Sequence, residues 1–228
     1  VSLRDLSRPT LRHGHTLTTE PASEPVTAAE LRTYLVTNAT ILPDSLADDF
    51  VKEARQYIER VTGLALINQT WTMELDRWPQ SASTEWWSGV REGAVADLYA
   101  GRAANPIEPP RYPLSSVTSV STFSEGDVKT AITVSDYFIT DTSRKPGRIV
   151  LKSGKTWPTA TRTANAIKIV YVAGYGATES SVPAVLKRAV KQFAGALSTH
   201  RGDGCSVESL YSSSGAADLV AAYSVTSI

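Results

Sequence analysis

The stretch Ala166–Leu197, AIKIVYVAGYGATESSVPAVLKRAVKQFAGAL, constrains the fold more than any other part of the chain. Ile167, Ile169, Tyr171 and Ala173 alternate with Lys168, Val170 and Val172. That period of two, in a run rich in β-branched residues, predicts a half-buried strand. Gly174 and Gly176 follow, where the backbone can turn in a way that a side chain would obstruct. Pro183 stands where a first helical turn needs no N–H. Leu186, Val190, Phe193 and Leu197 then recur at spacings of four, three and four, which puts one apolar stripe on a helix. The segment GYGATESS lacks the Lys-Ser/Thr of a phosphate-binding loop and the GxGxxG spacing of a dinucleotide site. The corner reads as structural.

Helical signals occupy the N-terminal part. Thr27-Ala28-Ala29-Glu30 is a capping box, in which hydroxyl and carboxylate satisfy N–H groups reciprocally, and Leu31, Tyr34 and Leu35 supply the apolar face of a short helix. Ser45–Asp48 offers a second cap. Leu46, Phe50, Ala54, Tyr57, Ile58 and Val61 follow a helical stripe that Gly63 closes, with Asp48, Glu53, Arg55 and Glu59 on the solvated side. From Leu66 to Gly174 the texture changes to short β-like runs broken by Pro, Gly and Ser, at Trp71–Leu75, Leu114–Phe123, Ile132–Ile139 and Ile149–Leu151. The expected class is α+β: a small helical bundle built from N- and C-terminal helices, with an inserted antiparallel β domain. The expected segments are an arm over 1–25, a helical core from 26–65 and 180–203, a β domain over 66–179, and a tail over 204–228. The arm shows no sustained periodicity and needs a neighbour to become ordered.

Composition restricts what such a chain does. In 228 residues Lys+Arg and Asp+Glu both number 23, so the basic excess of a tight phosphate binder is missing. The single cysteine, Cys205, allows no internal disulfide. No apolar run approaches the roughly 18 residues of a membrane span, and the first 25 residues lack the continuous apolar core of a secretory signal.

Catalytic constellations are thin. His13-Gly14-His15 has no Cys or carboxylate at ligand spacing, and His200 falls in a last helical turn, where a cation suits the helix dipole. There is no GxSxG elbow and no CxxC. The expectation is no enzyme, no metal and no cofactor. Five tryptophans are present. Trp71 and Trp157 adjoin strand patterns and read as core. The Trp86-Trp87 doublet directs its rings to two sides if extended, which makes these two the candidate exposed interface aromatics. Lys187, Arg188, Lys191 and Arg201 make the last helix basic; they are candidates for subunit or DNA-channel contacts, with pairing to carboxylates of the same or a neighbouring subunit favoured by the zero net charge.

The order of parts carries a resemblance. PVTAAELRTYL, an acidic helix ending in YIERVTGLALINQTW, β strands, VYVAGYG…VPAVLKRAVKQF and a short tail follow one another from about Pro25 to Leu197. In this order the chain resembles the head–tail connector, or adaptor, family of tailed bacteriophages and gene transfer agents. The resemblance implies a structural protein of the virion neck, assembled in the host bacterial cytoplasm. It would form a homo-oligomeric ring, commonly of twelve, beneath the portal protein, extend the DNA channel, and present a platform to a stopper or tail-completion protein. DNA would pass without tight specific binding, which suits the neutral charge. The family's C-terminal segment docks on the portal, which maps here onto about Glu208–Ile228, with Leu210, Tyr211, Leu219, Val220 and Tyr223 as apolar anchors that order on binding. Other readings stay open at this point: a carbohydrate- or cell-surface-binding β module using Trp86 and Trp87, a stopper or tail-completion protein, or an enzyme whose site the motifs do not reveal.

Overall fold

The computed structural model describes residues 13–78, 106–142, 147–201 and 204–223. Among them, β7 (Ile167–Ala173) is the central strand of a five-stranded sheet ordered β1-β2-β7-β3-β4. Its partners are β1 (His13–Thr19), β2 (Gln69–Leu75), β3 (Leu114–Phe123) and β4 (Lys129–Ile132). Ile167, Ile169, Tyr171 and Ala173 are all buried, so the alternation in the sequence is the alternation in the sheet. β3 and β4 pair antiparallel, with Val120 opposite Ile132. A two-stranded antiparallel sheet joins β5 (Phe138–Asp141) to β6 (Arg148–Leu151). The expected run Ile132–Ile139 is therefore not one strand. β4 ends at Ile132, a single helical turn forms at Val134–Tyr137, and β5 starts at Phe138.

 That single turn is α3, started by Thr133, and it interrupts the β-like run because Ser135 and Asp136 sit in its middle.

The segment His13–Thr19, expected to belong to an irregular arm, is instead strand β1 on the sheet edge. Its order comes from β2 rather than from local pattern. The His15 ring stacks on Trp71 at 4.4 Å with the planes 7° apart, its Nε2 lies 2.8 Å from the Tyr171 hydroxyl, and the Thr18 and Thr72 hydroxyls are 2.7 Å apart.

The remaining helices are α1 (Ala28–Leu35), α2 (Asp44–Thr62), α4 (Ala184–Thr199), α5 (Val207–Ser213) and α6 (Ala216–Ala221). With the strands they make an α+β fold. The chain divides into two units. One comprises Val1–Thr18, Trp71–Pro109 and Ser116–Tyr171, the other Thr19–Thr70, Pro110–Ser115 and Val172–Ile228.

In the second unit the helices enclose one apolar core. Leu186, Val190, Phe193 and Leu197 of α4 all lie in it, as their spacing predicts. Burying a side chain of this size contributes roughly 1.5–3 kcal/mol each. The glycine corner before α4 is sterically required. Gly174 has φ 148°, and a Cβ there would stand 2.5 Å from the Asn68 backbone nitrogen. At Gly176 a Cβ would meet the Ser181 hydroxyl oxygen at 2.3 Å. The corner is stitched by Gly174 N–H to the Pro113 carbonyl and Asn68 N–H to the Gly176 carbonyl, both at 2.9 Å.

In the first unit Trp71 and Trp78 are buried. Trp78 donates its Nε1–H to the Pro158 carbonyl at 2.6 Å, and Trp157 stacks on it at 4.6 Å. The expected packing role of Trp71 and Trp157 agrees with this arrangement.

Candidate functional site

The helical unit presents charge in an arrangement that its sequence periodicity does not reveal. Arg55 and Glu59, expected on the solvated side of α2, are buried. The seam that faces the core runs through Ala47, Val51, Ala54, Arg55, Ile58, Glu59 and Thr62, so the helix is rotated relative to the stripe read from apolar residues alone. Val61, assigned to that stripe, is exposed, while Leu46, Phe50 and Tyr57 flank the core. A buried ion pair is tolerated because its hydrogen-bonding groups are engaged. Arg55 donates from Nε and Nη2 to the two oxygens of Glu24, at 2.7 and 3.1 Å, and from Nη1 to Glu59 Oε2 at 2.9 Å. Glu59 Oε1 accepts from the Leu66 N–H at 2.8 Å and from Gln69 Nε2 at 2.6 Å. Burial pushes the Glu59 carboxyl above its ordinary value, and Arg55, the Leu66 N–H and Gln69 each pull it back.

The basic residues of α4 separate into two kinds. Lys187 and Lys191 converge on Glu30 of α1, with Nζ to carboxylate distances of 3.0 and 3.4 Å. Pairing within one subunit was among the readings of the sequence. It also changes the capping box: Thr27 caps α1 by accepting from the Glu30 N–H at 3.2 Å, but the Glu30 carboxylate goes to the lysines. Two cations at close range are a stronger attraction for a carboxylate than one backbone N–H. Burial alone would raise the Glu30 carboxyl, yet the hydrogen bond and charge of Lys187, with those of Lys191, hold it below its ordinary value. Arg188 and Arg201 are exposed.

The C-terminal segment folds onto the helical unit. Leu210 and Tyr211 on α5 and Val220 on α6 are core residues of the same chain, and Leu219 and Tyr223 pack against that core. Tyr211 meets Phe193 edge-on at 5.4 Å and Tyr57 at 5.1 Å. Leu219 and Tyr223 stay half-buried, whereas Leu210, Tyr211 and Val220 are buried within the chain itself. Their apolar surface is large enough, and α4 close enough in the chain, for intramolecular burial to use it first. Trp86 and Trp87 lie outside the described residues.

No group of three or more His, Cys, Asp or Glu side chains among the described residues is arranged to hold a metal ion. His15 is engaged with Trp71 and Tyr171, His200 caps the end of α4, and Cys205 is exposed. No helix of the described residues is long and apolar enough to cross a membrane. What the helical unit does present is exposed apolar surface outside its core. Val36, the C-cap of α1, has φ 53° and is 93% exposed, and Ile41 in the link to α2 is 65% exposed. A β-branched residue in the left-handed region costs roughly 1–2 kcal/mol. Asn38 braces the link, its side-chain oxygen accepting from the N–H groups of Thr40 and Ile41 at 3.0 and 3.1 Å.

Comparison with solved structures identifies where this fold occurs. It is shared with a chain of the virion of a native gene transfer agent particle, at 20% identity and TM-score 0.64, covering 87% of this chain and 93% of that one. It is shared likewise with a chain from the neck of an empty particle computed with C6 symmetry, at 19% identity and TM-score 0.63, covering 88% and 94%. A third match, from the neck of a native particle computed with C12 symmetry, has 22% identity and TM-score 0.59 and covers 87% and 94%. No family model matches the chain, and no curated protein matches it.

Proposed function

We propose that the protein is a structural, non-catalytic component of the neck of a phage-like particle, acting as a head-to-tail adaptor. The observation that carries this reading is the fold shared with gene transfer agent neck chains over nearly the whole of both partners. In this reading copies of the chain form a ring beneath the portal, extend the DNA channel and present a surface to a stopper or tail-completion protein. The C6 and C12 symmetries of the matched necks support a ring. The zero net charge suits a conduit along which DNA must slide, since each phosphate neutralised by a protein cation adds to the grip. Within the C-terminal segment expected to dock on the portal, Leu219 and Tyr223 are the half-buried apolar groups that remain for such a contact, while Leu210, Tyr211 and Val220 serve the chain's own helical unit.

The test is to mix the purified protein with the portal protein of the same particle and image the product by electron microscopy. A ring of this protein on one end of the portal is the expected result. A folded protein that leaves the portal bare would defeat the proposal.

A further inference from the structure

Two surfaces of the helical unit carry features that no other described residue engages. The first is the link after α1. Val36 stands in a left-handed conformation that glycine adopts freely, as Gly63 does at the end of α2, yet its side chain is almost wholly in solvent. Ile41 is exposed in the same link, which leads directly into the acidic first turns of α2, where Asp48 and Asp49 are exposed with no partner among the described residues. The second surface is the start of α4. Val185 is exposed there, and Arg188, one turn on, is exposed with no partner among the described residues.

These surfaces lie at opposite ends of α4. Glu30, near the start of α1, holds Lys187 and Lys191, whereas Leu35, at its end, abuts Gly195. α1 and α4 therefore run in the same direction, and Val36 follows Leu35 beside Gly195. Ten residues of helix separate Gly195 from Val185, roughly 15 Å at 1.5 Å per residue. One surface sets exposed apolar groups beside the carboxylates of Asp48 and Asp49, the other beside the guanidinium of Arg188, and none of the three charges has a partner among the described residues. Two different, complementary faces on one subunit are what a head-to-tail contact requires.

We propose that a second copy of this chain covers them: Val36 and Ile41, with Asp48 and Asp49, seat against Val185 and Arg188 of the next subunit. The inference deepens the ring reading above and rests on it. Propagated from copy to copy, such a contact gives a ring when the rotation per subunit closes.

The test uses the full chain with Cys205→Ser, which removes its only cysteine. Adding both Ile41→Cys and Val185→Cys should give, on oxidation, a ladder of covalent dimers, trimers and larger species. Either cysteine alone should give none. Arg188→Glu should weaken self-association by about tenfold or more, and Asp49→Arg in the same chain should restore it. Val36→Gly keeps the backbone conformation, and should weaken association while the monomer stays folded. A wild-type chain that forms rings, with no ladder and no effect of Arg188→Glu, would overturn this contact and leave the ring reading standing. A wild-type chain that stays monomeric at every concentration, with or without portal, would overturn both.

Discussion

Arg55 and Glu59 stand one turn apart on α2 with Nη1 and Oε2 2.9 Å from each other, and Arg55 is only 2% exposed. The pair ties three separate pieces of chain together, because Glu24 clasps the guanidinium while Leu66 and Gln69 donate to the Glu59 carboxylate. Replacing Arg55 by Met should leave Glu59 buried and uncompensated, at a cost of about 3–5 kcal/mol. Combining Arg55→Met with Glu59→Leu should recover part of that loss. Urea denaturation of the three chains, read as midpoint shifts, checks the order.

Gly174→Ala should be among the most damaging single-methyl changes. The left-handed φ alone costs about 1–3 kcal/mol, and the added Cβ would collide with the backbone of Ile67 and Asn68. Gly204→Ala is the control, since nothing lies within 4 Å of a Cβ at that position. Thermal unfolding should drop sharply for the first and hardly move for the second.

Tyr211→Ala distinguishes a core residue from a docking anchor. Loss of its contacts with Tyr57 and Phe193 should lower stability by about 3 kcal/mol or more. A surface anchor would leave the melting temperature of the isolated chain unchanged. Calorimetry of the purified chain decides between the two.

The Glu30 cluster makes a prediction for pH. Its folded carboxyl is held below its ordinary value, so in mildly acid solution the unfolded chain takes up a proton before the folded chain does. The contribution is therefore present above the ordinary carboxylate range and is lost as pH falls through that range towards the lowered folded value. Glu30→Gln should be less stable than wild type at neutral pH, and the gap should narrow on acidification. Denaturant midpoints measured across that range check the sign.

Much of the fold is legible in the chain. The alternation of Ile167 to Ala173, the paired glycines, and the spacing of Leu186, Val190, Phe193 and Leu197 are properties of near neighbours, and each appears in the structure as read. The Thr27 cap is equally local. The candidate surfaces were less legible. The exposed basic residues of α4 were in view, but Val36 and Ile41 were not, because nothing in a sequence marks an apolar residue as excluded from the core. The left-handed turn after Leu35 was the one signal absent, since valine occupies the place where glycine or asparagine would announce it.

Residue pattern by itself determined the strand Ile167–Ala173, the first two helices, the helix after Pro183 and the glycine corner before it, because those choices depend on side chains a few positions apart. Only the tertiary structure decided that His13–Thr19 joins the sheet, that Arg55 and Glu59 turn inward, and that Tyr211 belongs to the core. Each of these depends on a partner distant in sequence: β2 for the strand, Glu24 and Gln69 for the charges, Tyr57 and Phe193 for the ring. The free energy of a buried charge or an edge strand is set by what lies against it, and that is known only once the chain has folded.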